Sequence, residues 1–158
     1  MWQPHQFDVI AIDLLKFFKI HTIPCAIIVN LDLSTEPGSH WVAIYLPECT
    51  VAERNGCVAE YFCSFASEIL LEIRAFFCRQ CKHSGIVKAT VLPFQNPFST
   101  TCGLWALDYI VHKSWGVPTE SYISQFDDDF LANEKILKSR WGGDIDDQRF
   151  IYGTQYFN

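Results

Sequence analysis

Two short apolar runs rich in β-branched residues constrain this chain more than any other feature. Cys25–Leu31 reads CAIIVNL, His40–Leu46 reads HWVAIYL, and DLSTEPGS lies between them. Runs this short with no polar face fit strands covered on both sides. The intervening Pro, Gly, Ser and Asp predict a loop. Cys57–Phe62 (CVAEYF) predicts a third strand, joined to the second through a long connection with a turn signal at Asn55-Gly56. The period then changes: Ile69, Leu70, Ile73, Phe76 and Phe77 share one face of a helix predicted over Ser67–Cys81, ended by Ser84-Gly85. A fourth strand is expected at Ile86–Leu92, then a Pro-rich loop over Pro93–Thr101. Cys102–Ser114 predicts a helix with Leu104, Leu107, Ile110 and Val111 inward and Thr100 or Thr101 as its cap. Pro118 opens a further helical stretch, and Phe130–Trp141 forms another. At the start of the chain, Ile10, Leu14, Leu15, Phe17 and Phe18 predict a short helix within Phe7–Ile20. Strands and helices in this order predict an α+β fold, a mixed or antiparallel sheet packed by helices.

The length of 158 residues fits a single domain over 1–158, with no internal repeat. With 49% apolar and 19% charged residues, the composition excludes a disordered chain. A domain of this size buries roughly 68–70% of its unfolded surface, so its core needs no staples. The start, Met1 to Gln6, lacks the pattern of a secretory signal, and no apolar run has the length of a membrane span. The 12 basic and 18 acidic side chains, a net charge of −6, argue against charge-driven binding of nucleic acid. Seven cysteines are an odd number and cannot all pair within the chain. They are expected to be reduced thiols in an intracellular setting, cytoplasm or nucleus.

Three residues carry candidate chemistry. Cys102 sits where the Pro-rich loop meets a helix N-terminus, where the dipole and free N–H groups favour a thiolate and can hold an oxyanion. Gly103 beside it permits close backbone approach. His40, at a loop-to-strand junction, suits a general base for a thiol. Gln95, seven positions before Cys102, can donate its amide to an oxyanion. Taken singly, a core cysteine, a structural histidine and a surface glutamine are the commoner readings of such residues.

Taken together, CAIIVN over Cys25–Asn30, Gly38-Ser39-His40-Trp41, Glu60-Tyr61-Phe62-Cys63-Ser64-Phe65, and Gln95 followed by Cys102-Gly103-Leu104 resemble the adenain family. These are the adenovirus-type cysteine endopeptidases, with relatives in Polinton/Maverick elements and large DNA viruses and a distant similarity to SUMO and ubiquitin-like proteases. The resemblance runs from about Phe7 to about Trp141. It implies a papain-like superfold and peptide-bond hydrolysis through an acyl-enzyme. Cys102 would be the nucleophile, His40 the base, and Gln95 with the Cys102 N–H the oxyanion hole. Trp41 would pack beneath the site, and Asn30 matches the pattern without a defined role. The implied partner is a protein or peptide substrate, a viral or capsid precursor cut near small residues such as Gly. A virion location follows if the source is viral. No cofactor is implied. Resemblance to adenain also raises a peptide or DNA activator, and the charge of −6 speaks against DNA.

The chain departs from the family where an Asp or Glu orients the imidazole: Cys63 occupies that place. A thiol accepts hydrogen bonds poorly and does little to stabilise an imidazolium. Glu60, three positions away on a strand, points to the other face. Cys63 therefore implies a weakened protease, or an inactive relative that keeps the fold as a binding module. A zinc protein is the rival of a different class, with Cys78 and Cys81 as a C-x-x-C and His83, Cys57 and Cys63 as further ligands. Trp105, Tyr109 and Trp115 are expected to pack in the core or against a helix. Asp127-Asp128-Asp129 is expected to be a solvated helix start.

Overall fold

A computed structural model describes residues 7–48, 58–80 and 87–142. Its centre is one sheet of five strands in sequential order: β1 (Asp8–Ala11), β2 (Cys25–Asn30), β3 (Trp41–Leu46), β4 (Ala59–Phe62) and β5 (Val87–Ala89). The outer pairs β1–β2 and β4–β5 run parallel, and the inner pairs β2–β3 and β3–β4 antiparallel, so the sheet is mixed. Helices α1 (Leu71–Gln80), α2 (Cys102–Ser114), α3 (Thr119–Ile123) and α4 (Phe130–Trp141) flank it. Among the described residues no helix is long and apolar enough to cross a membrane.

The unbroken apolar character of β2 and β3 has a direct cause, since both faces of the sheet are covered. Ile27, Val29, Val42, Ile44, Tyr61 and Cys63 meet Ile73, Phe76 and Phe77 of α1 on one face. Ala26, Ile28, Trp41, Ala43 and Phe62 meet α2, Tyr122 of α3 and Leu137 of α4 on the other. Fully burying one such side chain stabilises the fold by about 1.5–3 kcal/mol. Glu60, at the alternate position of β4, faces the α2 side, where Tyr109, Thr119 (2.6 Å) and Lys113 (3.0 Å) hold its carboxylate. Burial pushes that carboxyl up, but the hydroxyls and the ammonium outweigh it and hold it below the ordinary value.

The N-terminal helix expected over Phe7–Ile20 is not what forms. Asp8–Ala11 pairs with β2, and only Ile12–Phe17 coils, as a 3-10 helix. Phe7 and Val9 pack on one face of the sheet and Ile10 on the other. Val9, Ile10 and Ala11 are only half-buried in this edge strand, and the period of so short an apolar run does not distinguish strand from helix. Helix α1 starts at Leu71, four residues later than expected, after a turn through Ala66 at φ +53°. The predictions for α2 and α4 match the structure at both ends. Thr101 stands at the N-cap of α2 but makes no cap bond, its hydroxyl turning to Glu134 instead. Trp105 and Tyr109 are core residues, whereas Trp115 is 65% exposed, its ring against His112. Asp129 caps α4 by accepting from the Ala132 N–H at 3.0 Å, in an exposed turn as expected.

Candidate active site

The site assembles where β3 begins and β4 ends, which antiparallel pairing brings to the same end of the sheet. The loop into β3 is closed by its own bonds. The Leu31 N–H donates to the His40 carbonyl at 2.9 Å, the Asp32 N–H to Asn30 Oδ1 at 3.1 Å, and Ser39 Oγ to Asp32 Oδ1 at 3.0 Å. Gly38 adopts φ +89°, and a Cβ there would stand 2.7 Å from Asn30 Nδ2 and 3.1 Å from the Trp41 ring. Asn30 thus has a defined place: it pins the turn that delivers His40.

His40 Nε2 lies 3.3 Å from Cys63 Sγ, the first residue after β4. Cys63 is fully buried and also receives the Ser67 N–H at 3.4 Å. The His40 ring rests on Phe65, with centroids 5.1 Å apart. Its other nitrogen, Nδ1, is buried and makes no hydrogen bond. Burial holds the imidazole below its ordinary pKa of 6.5, with the Asp32 carboxylate pulling the other way.

Cys102 opens α2 and is 4% exposed, its Sγ 3.8 Å from the carbonyl of Ser39, the peptide that leads into His40. Trp41 and Cys102 belong to the same apolar cluster. Gln95 is fully buried rather than a surface residue. Its N–H donates to the Ser64 carbonyl at 3.2 Å, and its Oε1 accepts from the Ser64 hydroxyl. Its Nε2 donates to the Ser99 carbonyl at 3.2 Å and approaches Ser99 Oγ at 3.4 Å. An amide nitrogen has a second hydrogen to give. Consecutive residues of one turn therefore serve two partners: Cys63 meets His40, and Ser64 meets Gln95.

Sequence reasoning misses the support from α4. Asn133 Nδ2 donates to the Phe94 carbonyl at 3.0 Å, and Glu134 Oε1 accepts from Ser99 Oγ at 2.6 Å and Thr101 Oγ1 at 2.7 Å. A signal was present: Asn133 falls four positions before Leu137 and eight before Trp141, on the face the helical period assigns to the core.

The zinc ligands do not gather among the described residues. Cys78 is exposed on α1 while Cys63 is buried against His40, and no three His, Cys, Asp or Glu side chains there converge as metal ligands. Cys57, Cys81 and His83 lie outside the described residues.

No family model matches this sequence, and no curated protein matches it. Solved structures do. The ASFV pS273R protease in its selenomethionine form is 26% identical, with a TM-score of 0.54 over 77% of this chain and 44% of that one. A second structure of the ASFV pS273R protease is 22% identical, with a TM-score of 0.50 over 72% of this chain and 41% of that one. This chain thus spans less than half the length of the ASFV protease chains. The SUMO protease Ulp1, solved with its catalytic cysteine oxidised to a sulfonic acid, is 17% identical over 78% of this chain and 59% of its own. At its TM-score of 0.39 that overlap carries no weight. The mixed sheet with flanking helices is the papain-like cysteine-protease fold that the resemblance implied.

Proposed function

We propose that this cysteine-protease fold carries a thiol peptidase site, with Cys102 as nucleophile and His40 as base. The observation that supports it most is the convergence on one end of the sheet. The thiol that opens α2 lies against the Ser39 carbonyl, and the adjacent His40 ring has Nε2 engaged and Nδ1 buried without a hydrogen bond. Cys102 passes its proton to His40 Nδ1, and Sγ attacks the peptide carbonyl. The tetrahedral oxyanion takes hydrogen bonds from the Cys102 N–H and from Gln95 Nε2, one of whose hydrogens serves both Ser99 oxygens as a three-centre bond while the other turns to the oxyanion. The imidazolium protonates the leaving amine, and water then releases the acid from the acyl-enzyme.

Cys63 sets the level of activity. If its S–H donates to Nε2, the ring proton sits on Nδ1 and the ring cannot accept from Cys102. If Nε2–H donates to the sulfur, Nδ1 is open, but sulfur is a weak acceptor and holds the ring loosely. The proposed enzyme is therefore a slow one, and its substrates are proteins or peptides, precursor proteins of a virus or transposon in the narrower form of the reading. The same contact favours a second reading, an inactive binding module on this fold.

Hydrolysis of a fluorogenic peptide library by the purified chain separates the two. The peptidase reading expects turnover that vanishes in Cys102→Ala and falls at least about 100-fold in His40→Ala. No turnover, or turnover that survives Cys102→Ala, overturns it.

A further inference from the structure

Beyond these residues, Glu134 on α4 places a buried carboxylate against the loop that leads into Cys102. Its Oε1 accepts from the hydroxyls of Ser99 at 2.6 Å and Thr101 at 2.7 Å, and those two oxygens stand 2.6 Å apart. A carboxylate oxygen accepts, so it draws hydroxyl hydrogens toward α4. Ser99 Oγ is then left to accept on its other side, where the Thr101 N–H (3.2 Å) and Gln95 Nε2 (3.4 Å) approach. At the far end of the Gln95 amide, Ser64 donates its hydroxyl to Oε1. The amide is thereby held from both ends, oxygen toward Ser64 and nitrogen toward Ser99, and such polarity decides which way an amide points. Burying a carboxylate gains little stability over an apolar side chain of similar size. What Glu134 supplies is a fixed direction for two hydroxyls.

We infer that Glu134 is a positioning residue of the thiol site. Through Ser99 it sets the orientation of the Gln95 amide, and through Thr101 it holds the residue that precedes Cys102. The inference rests on the peptidase reading, because an amide pointed at an oxyanion matters only where an oxyanion forms. Misdirecting that donor weakens the transition state and leaves substrate binding alone, so kcat falls and KM does not.

The test compares Glu134→Ala, Glu134→Gln and Ser99→Ala in the full chain. Each is followed by kcat and KM on a cleaved library peptide, and by proton exchange of the Gln95 side-chain amide in ¹⁵N NMR, assigned by its loss in Gln95→Ala. Glu134→Ala is expected to speed that exchange about 10-fold and to lower kcat about 10–100-fold, with KM within about 3-fold. Glu134→Gln keeps an oxygen for both hydroxyls and should recover most of kcat. Ser99→Ala breaks the relay with a smaller loss of volume and should match Glu134→Ala even where that variant folds poorly. Unchanged Gln95 exchange in folded Ser99→Ala, or a kcat that falls only with the folded fraction, overturns the inference while leaving the peptidase reading intact. A wild-type chain with no turnover overturns that reading and this role together.

Discussion

On the peptidase reading, position 63 decides how strong a base His40 can be. Two donors converge on its side chain, the Ser67 N–H at 3.4 Å and, in the productive tautomer, His40 Nε2–H at 3.3 Å. That is the hydrogen-bonding environment of a carboxylate, filled here by a thiol. Cys63→Asp is therefore expected to raise turnover by about 10-fold or more and to raise the His40 titration midpoint, read by NMR, by about one pH unit. Unchanged turnover and an unmoved midpoint would refute the assignment of Cys63 to the orienting place. The sign of the stability effect follows. Burial holds the native His40 below its ordinary value of 6.5, so the native state takes up that proton at lower pH than the unfolded chain. Its contribution is whole above about pH 6.5 and is lost as pH falls through the native value. In Cys63→Asp the native midpoint rises toward the ordinary value, so the stability lost on acidification shrinks. The identity of the residue at 63 was legible in the sequence, as was its doubtful chemistry. Its contact with Ser67 was not, because it depends on the turn through Ala66 at positive φ.

At the scale of elements, the site depends on a loop, a turn and a helix that hold side chains in place. The loop into β3 is the most exacting. Gly38 lies at φ +89°, where an L side chain is strained, and Asn30 fills the space a Cβ would need. Gly38→Ala should cost about 1–3 kcal/mol in urea unfolding and lower turnover further, because Asn30 or Trp41 must shift beneath His40. A variant as stable and as active as the wild type would show that the loop is slack. Strands β2, β3 and β4 and helices α2 and α4 were readable from apolar runs and helical spacing, since propensity and burial agree there. Strand β1 was not: pairing with β2 overrides a local pattern that reads as helix. Asn133 and Glu134 were missed for a related reason. They occupy core positions of α4, yet only the loop folded over them reveals what they bond.

At the scale of the whole molecule, two apolar layers clasp one sheet, and the candidate site draws Trp41 and Cys102 from one layer and Cys63 from the other. Order along the chain located that site: His40 at a strand start, Cys63 at a strand finish and Cys102 at a helix start. The odd cysteine count takes on structure too. Among the described cysteines, Cys63 is buried against His40 and Cys102 against the Ser39 carbonyl, while Cys78 is exposed and Cys25 lies half-buried at the start of β2, its thiol pushed up to about 11 by burial and the nearby Asp8 carboxylate. The central claim is that one of these thiols, and not the exposed one, is a nucleophile served by His40. Labelling with a peptidyl electrophile, mapped by mass spectrometry at pH 7, tests it most directly. The account predicts that Cys102 is modified well ahead of Cys78 and that His40→Ala slows Cys102 alone. Labelling that follows exposure, with Cys78 first and Cys102 indifferent to His40→Ala, would contradict it.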